Sequence, residues 1–489
     1  MLGKWSRHIE YQEFVKQKLR DISQSDPCKV LEYEEVISKL YILPTDKLMK
    51  TMLPLYSEIG RPAELQPEIF RSFVAMKELG FTLDNWIVKL RNNEVLRTAV
   101  GITENIPCAS SHYDFINRII DMDERPKIRL KKRKPTKKLG KNTKLPNKNP
   151  GIVQRLVDKI LCGRRFNLRP ERHLQQIFAD VAVTYSRELG IIPDEIEVSG
   201  DGTCIETGAS HYGVKICECK DFRCDCPRRF SDPNATWGWD SHNERYFYGY
   251  TGYFISTYNR DLKADLPLYL RLVEAKRHDS VSAVVALAEL RDLYPDLKLR
   301  TFIHDSAADN TATYELLHNW NIDAVIALNQ KGNFKYPPHL KLNDDGTPVC
   351  MGGHNMVRWG KCPDRDRIKF RCPFRLGKVS DCACAHSCSS SDYGRTIYIY
   401  PKWDLRLFTN IPRGSAVWKL KMKSRTSVER INQRILHDYA VEFDNLRGKK
   451  RISFAVTIAA LNIHLDVWLN LLSDTGLFDF SSLFIQNLA

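Results

Sequence analysis

The sequence predicts an α/β fold: a mixed sheet preceded by an all-helical N-terminal domain. Three observations in its 489 residues carry that prediction. Apolar residues recur at three- and four-residue spacing over 65–79 and 83–96, the period of amphipathic helices. Beyond residue 151, short apolar runs alternate with helix candidates, the pattern of a mixed sheet flanked by helices. Between these two regions lies a segment too charged and too rich in proline to bury a core.

Residues 1–124 read as the helical domain. Ser110 and Ser111 are placed to cap a further short helix, HYDFINRII. Short helices joined by brief turns suit a helix-turn-helix DNA-binding module and a plain helical bundle equally well. Residues 125–150 form a basic linker with four prolines. Positions 125–148 hold twelve Lys/Arg and no acid, and Lys131, Lys132, Arg133, Lys134, Lys137 and Lys138 crowd its middle. The chain's formal net charge is +15, and removing that stretch lowers it to +3. The positive charge is therefore a local device. Such a device faces a polyanion, and phosphate contact would make binding salt-dependent.

Residues 151–328 form the first part of the core. Helices are expected at 152–161, 174–189, 280–293 and 311–320, and strands at 196–198, 246–258, 266–273, 299–304 and 324–328. The run 246–258 is aromatic on both alternating faces, which favours a strand buried on both sides over a base-stacking platform. Gly, Pro and Cys dominate 329–402, which reads as a Cys-rich insertion. The last part of the core, 403–489, resumes with regular structure at 403–409 and a helix over 427–437. The stretch ISFAVTIAALNIHLDVWLNLL is interrupted by Asn462, His464, Asp466 and Asn470. Asp466 would be costly in a bilayer, so a core helix and no membrane partner are expected.

Composition excludes wholesale disorder, at 43% hydrophobic and 27% charged residues. The N-terminus MLGKWSRHIEYQEF has no apolar export-type run. Fourteen cysteines in so large a chain are then expected to be reduced, with a cytoplasmic location. Some of these thiols are candidate metal ligands.

The decisive residues are acidic. Asp201 follows a short apolar strand in IEVSGDGT. Asp305 ends the strand LRTFIH, and strand ends face the crevice where α/β folds hold ligands. Glu429 lies on a helix in KMKSRTSVERINQRILHDYAVEF. Gathered together, three carboxylates repel and raise one another's pKa, a conflict that divalent cations relieve. Two Mg²⁺ ions, bound by oxygen, activate a water or 3′-hydroxyl and stabilise a leaving oxygen, the chemistry of phosphodiester transfer. Asp309 is read as a cap of the helix near Thr311, Glu206 as a group supporting Asp201, and Asp279 as a competing acid. His304 is expected to point away from Asp305, since successive strand side chains face opposite ways.

The order D-G-T, then hydrophobic-H-D-S-A-A-D-N, then R-x3-E-R resembles the DDE transposases of bacterial insertion sequences. GRPAELQPEIFRSFVAMKELGFTLDNWIVKLRNNEVLRTAVG is similar to that family's helical N-terminal domain. WDSHNERYFYGYTGYFI is similar to its second core strand, and IPRGSAVWKLKMKSRTSVERINQRILHDYAVEFDNLRGKKR to its segment around the catalytic glutamate. The resemblance covers most of the chain. It implies a ribonuclease-H-like core in which Asp201, Asp305 and Glu429 are catalytic and bind two Mg²⁺ or Mn²⁺. It implies that Arg425 matches the family's arginine. It also implies double-stranded DNA as partner, a homodimer or larger assembly on DNA, and a bacterial, nucleoid-associated location. The family's Tyr three before that arginine and Lys seven after the glutamate are here Met422 and Leu436, with Arg434 or His437 as the nearby basic group. Two rivals stand beside this reading: a non-catalytic, decayed or domesticated DNA-binding protein, and a metal-dependent nuclease without strand transfer.

Ten cysteines fall into two clusters. Cys217, Cys219, Cys224 and Cys226 form one, in a polar loop. The second includes Cys372, Cys382, Cys384 and Cys388, with His386 inside it and Cys350, His354 and Cys362 before. Four thiolates can hold a tetrahedral Zn²⁺, so structural zinc and free thiols are the alternatives at each. Further basic groups surround the glutamate segment. Arg413, Lys419, Lys421 and Lys423 precede it, and Arg447, Lys449, Lys450 and Arg451 follow it, as candidates to position phosphates.

Overall fold

The computed structural model describes residues 1–130, 150–221, 223–329, 334–384 and 388–485. The N-terminal region is helical: α1 (His8–Ser25), α2 (Pro27–Leu31), α3 (Glu34–Ile42), α4 (Asp46–Met52), α5 (Gln66–Glu78), α6 (Leu83–Asn92), α7 (Glu94–Val100) and α8 (Ala109–Ile119). The expected serine caps of α8 are corrected. Cys108 is the N-cap and Ser110 and Ser111 lie inside the first turn. Beyond α8 come a short strand β1 (Lys127–Arg129) and helices α9 (Ile152–Leu161), α10 (Arg172–Phe178) and α11 (Thr184–Glu188). A π-helical turn at Ala179–Val183 joins α10 to α11, close to the single helix expected there.

The remaining strands and helices build a mixed α/β unit. Its strands are β2 (Glu195–Glu206), β3 (Val214–Lys215), β4 (Arg228–Phe230), β5 (Thr236–Asp240), β6 (Arg245–Asn259), β7 (Ala264–Glu274), β8 (Lys298–His304) and β9 (Asp323–Ile326). The principal sheet runs β5-β6-β2-β8-β9, with β7 also paired to β6. Pairs β2–β8 and β8–β9 are parallel, and β2–β6, β5–β6 and β6–β7 are antiparallel. Helix α12 (Asp279–Leu293) connects β7 to β8, and α13 (Thr311–Asn319) connects β8 to β9. Strand β6 is buried along nearly all its length. Its Tyr253, Phe254 and Ile255 are fully enclosed, as a central strand covered on both faces requires.

Between β9 and the final helices lies a second, antiparallel sheet, β10 (Val357–Cys362), β11 (Arg367–Arg371) and β12 (Thr396–Ile399). It has a small core of its own, with Met356, Ile368, Phe370, Ile399, Leu407 and Phe408. The segment 403–409, expected to be regular, is instead a 3₁₀ turn followed by hydrogen-bonded turns around Asp404. The chain returns to the principal sheet with α14 (Ala416–Lys423) and α15 (Thr426–Gln433), then α16 (Lys449–Asp474) and α17 (Phe480–Phe484).

Helix α16 carries the segment ISFAVTIAALNIHLDVWLNLL. It is long and apolar enough to cross a membrane, yet 78% of its most apolar stretch is buried within the protein. It packs on α3 and α5 on one side and on β7 on another, so one apolar core runs from the N-terminal helices to the sheet. The interrupting polar residues have partners there. The Asn462 amide donates to the Val74 carbonyl at 3.2 Å. His464 sits between Ser186 Oγ and the Pro267 carbonyl, each at 2.8 Å. Asp466 joins a buried knot at Lys39, whose ammonium is 2% exposed and lies 2.8 Å from Glu35, 2.5 Å from Glu78 and 2.5 Å from Asp466.

Candidate functional site

Asp201 and Asp305 are brought side by side by strand register. In the parallel pair β2–β8, Ser199 faces Ile303. Two residues further along, Asp201 falls beside Asp305 at the C-terminal end of β8. Strand β2 continues well past Asp201 because β6 pairs with it from Val198 to Glu206. Each residue flanking Asp201 is a glycine for a steric reason. A Cβ on Gly200 would come within 2.5 Å of the Tyr253 hydroxyl, and one on Gly202 would fall on the Asp279 carboxylate.

Asp305 is held by its surroundings. Its Oδ1 accepts from the Ala307 N–H at 2.9 Å and contacts His304 Nδ1 at 2.7 Å. The fully buried His304 ring reaches the Tyr253 hydroxyl at 3.1 Å with Nε2. The two ring nitrogens join Asp305 on one side to Tyr253 on the other. The expectation that His304 faces away from Asp305 is thus corrected, because the ring folds back along its own backbone. Burial works against ionisation of Asp305, but the His304 contact, the Ala307 N–H and the Arg425 charge together hold it below the usual carboxylate range.

Asp201 shifts the opposite way. Burial first, then the charges of Asp279 and Asp305, push it up to about 6 despite His304. Asp279, at the start of α12, is likewise raised by burial and by Asp305. Side-by-side carboxylates with divergent pKa values mark a functional-site candidate.

Glu429 comes from α15. That helix is seated by Val428 and Ile431, both fully buried, and by Ser427 Oγ at 3.1 Å from Ser256 Oγ. Arg430 ties it to the start of β7 through Asp265, with contacts of 2.6 and 2.7 Å. Glu429 pairs with Arg425 at 2.5 Å. One turn on, the Asn432 amide donates to Asp201 Oδ2 at 3.1 Å. A groove of about 950 Å³ opens alongside, lined by Gly202, Asp279, Glu429, Asn432 and His437 among others.

The other expected groups divide. Of the two basic candidates near Glu429, His437 lines the groove, while Arg434 pairs with Asp466 of α16. Leu436 is largely buried. Lys449 pairs with Glu171, and Lys450 Nζ donates to Asn117 Oδ1 at 2.9 Å. Glu206 pairs with Arg245 at 2.6 Å. The reading of Asp309 as a cap is corrected: Asn310 caps α13, and the enclosed Asp309 carboxylate pairs with Arg406 at 2.6 Å. Lys131, Lys132, Arg133, Lys134, Lys137, Lys138 and His386 lie outside the described residues.

Cys217, Cys219, Cys224 and Cys226 meet between β3 and β4 with their sulfurs all within 4.8 Å of one another, a cluster able to hold a structural metal. The pairs Cys217–Cys224 and Cys219–Cys226 are each at 3.5 Å, and no disulfide forms among the described residues. Strand β4 pairs with β1, which lies within the first residues of the basic segment 125–150, so this cluster adjoins the start of that segment. In the second cluster Cys382 lies 2.9 Å from Cys384, which lies 3.6 Å from Cys388. Cys372 is buried at the end of β11 beside Gly394. A further acidic trio, Glu35, Glu78 and Asp466, surrounds the Lys39 ammonium rather than open space.

No protein-family model matches the chain, and no curated protein matches it.

Proposed function

We propose that this chain is a DDE-type DNA transposase with a ribonuclease-H-like core. One observation carries the reading: the β2–β8 register sets Asp201 beside Asp305, and α15, the helix that carries Glu429, is tied to Asp201 through Asn432. The donor set suits Mg²⁺ or Mn²⁺, hard cations that take oxygen ligands. Two features of the fold support the fit. Asp201 is destabilised as an anion by burial first and then by Asp279 and Asp305, and the Asn432 carbonyl oxygen is buried without a hydrogen-bond partner among the described residues. Asp201, Asp305 and Glu429 would hold two such cations, which supply activation of the attacking oxygen and stabilisation of the leaving one. The chain's own residues orient these ligands. His304 and the Ala307 N–H fix Asp305, Asn432 fixes Asp201, and Arg425 fixes Glu429.

On this reading the N-terminal helices recognise transposon inverted-repeat ends, the basic linker follows the DNA backbone, and the core cuts at the ends and transfers a 3′-hydroxyl into target DNA. Two ends must be handled together, so the working form is a dimer or larger on DNA. The resemblance to bacterial transposases implies cytoplasmic, nucleoid-associated action. For the cluster Cys217–Cys219–Cys224–Cys226 the reading assigns Zn²⁺. Tetrahedral Zn–S bonds of about 2.3 Å put sulfurs about 3.8 Å apart, near the 3.5 Å spacings found. The test is strand transfer from a pre-cleaved end in Mg²⁺. Activity unchanged in Asp201→Ala would remove Asp201 from the site and sink the reading, and DNA binding with neither cleavage nor joining by the wild type would leave a non-catalytic DNA-binding protein. Cleavage without joined product would leave a nuclease.

A further inference from the structure

The Asn432 carboxamide is the least explained polar group near the acids. Its side chain is 8% exposed, its N–H donates to Asp201, and its Oδ1 is buried with no hydrogen-bond partner among the described residues. A buried acceptor left unpaired costs about 1–3 kcal/mol unless something fills the place. Turning the amide over would not help, because it would set that oxygen against the Asp201 carboxylate. What this oxygen lacks is a donor or a cation, and the residue that carries it lies in the wall of the groove of about 950 Å³.

Asp279 also adjoins Asp201. Its carboxylate lies directly over Gly202, in space that any larger residue next to Asp201 would fill. It lines the groove with Asn432 and Glu429, and among the described residues no salt bridge or side-chain hydrogen bond neutralises it. Its position at the first residue of a fifteen-residue helix steadies its charge. Asp279 from α12 and Asn432 from α15 therefore both adjoin Asp201, and among the described residues neither forms a salt bridge.

We propose that Asn432 Oδ1 and the Asp279 carboxylate are metal ligands, so that five oxygen-donor residues rather than three hold the divalent cations. The proposal rests on the transposase-type cation site above and adds two ligands to it. Hard divalent cations take six or more oxygens, and three carboxylates alone leave much of that shell to water and substrate. Asn432 then has two tasks: its N–H orients Asp201 and its carbonyl binds the cation.

The test is Mn²⁺ binding by the full-length protein, read as free Mn²⁺ by electron paramagnetic resonance, with circular dichroism confirming folding of each variant. Asp279→Asn and Asn432→Ala are expected to weaken binding at least about tenfold, as Asp201→Asn does. Asn432→Asp separates the two roles, since it keeps an oxygen ligand and loses the N–H donor. A ligand role predicts wild-type or tighter binding in this variant, whereas orientation alone predicts loss through repulsion with Asp201. Wild-type Mn²⁺ affinity in either Asp279→Asn or Asn432→Ala, with Asp201→Asn and Asp305→Asn weakened, overturns the proposal and leaves the three-acid site standing. Unchanged binding in Asp201→Asn and Asp305→Asn as well removes that site too.

Discussion

Replacing Asp201 by Asn should make the metal-free protein more stable, even though it should abolish activity. Asp201 is partly buried, and burial first, then Asp279 and Asp305, push its carboxyl up to about 6 from an ordinary value of 3.8. Its folded pKa is raised, so the fold prefers the protonated form. The resulting penalty is absent below the unfolded pKa, grows as pH rises, and is complete above the folded pKa. The difference of about two units is worth about 3 kcal/mol at pH 7.5 and about 1 kcal/mol at pH 4.5. Asp279 and Asp305 share the repulsion, so about 3 kcal/mol is an upper bound. Asparagine removes the charge and retains an oxygen for the Asn432 amide. Urea unfolding in EDTA at the two pH values measures the gain. Asp201→Asn should be stabilised at pH 7.5 by about 1–3 kcal/mol and distinctly less at pH 4.5. Added Mg²⁺ should narrow the gap by stabilising the wild type, since a ligand that binds only the fold stabilises it. No gain in EDTA, or an equal gain at both pH values, would refute the electrostatic reasoning.

Other outcomes follow from buried groups elsewhere. Lys39→Met should destabilise by about 3–5 kcal/mol, because it leaves Glu78 and Asp466 buried without their shared ammonium; chemical denaturation would measure it, and a loss under 1 kcal/mol would contradict the knot. His464 is buried and pushed down to about 4 by loss of hydration, so stability should fall as pH drops from about 6.5 towards 4. His464→Gln should flatten that stretch of the pH–stability curve, and an unchanged slope would count against the assignment. Cys219→Ser together with Cys224→Ser should lower zinc released on thiol blocking by one equivalent per chain, measured with a colorimetric chelator; equal release would exclude this cluster as the zinc site.

The readable parts of this fold were those set by local pattern. The helices at 152–161 and 279–293 and the strands 245–259 and 298–304 follow from periodicity, and Asp305 stood out because it ends a strand. Strand β2 looked far too short, since Gly200, Asp201 and Gly202 break its apolar alternation. Only the β6 partner, invisible to a local reading, carries it to Glu206. Asp279 stood only as a competing acid and Asn432 was not singled out, for the same reason: each joins Asp201 through packing between residues distant in the chain. His304 was misjudged because alternation along a strand describes where a side chain starts and not where its ring bends. Met422 and Leu436, where a family pattern has Tyr and Lys, left the basic partner of Glu429 undecided, and only the groove separates His437 from Arg434.

The most direct measurement of the central claim is strand transfer by the purified full-length protein, using a pre-cleaved transposon end, target DNA and Mg²⁺. Joined product should form with the wild type and be lost, by about a hundredfold or more, in Asp201→Ala, Asp305→Ala and Glu429→Ala, each still folded; an activity loss of that size corresponds to about 2.7 kcal/mol or more of barrier. Joined product at wild-type level in any one of the three variants would contradict the account.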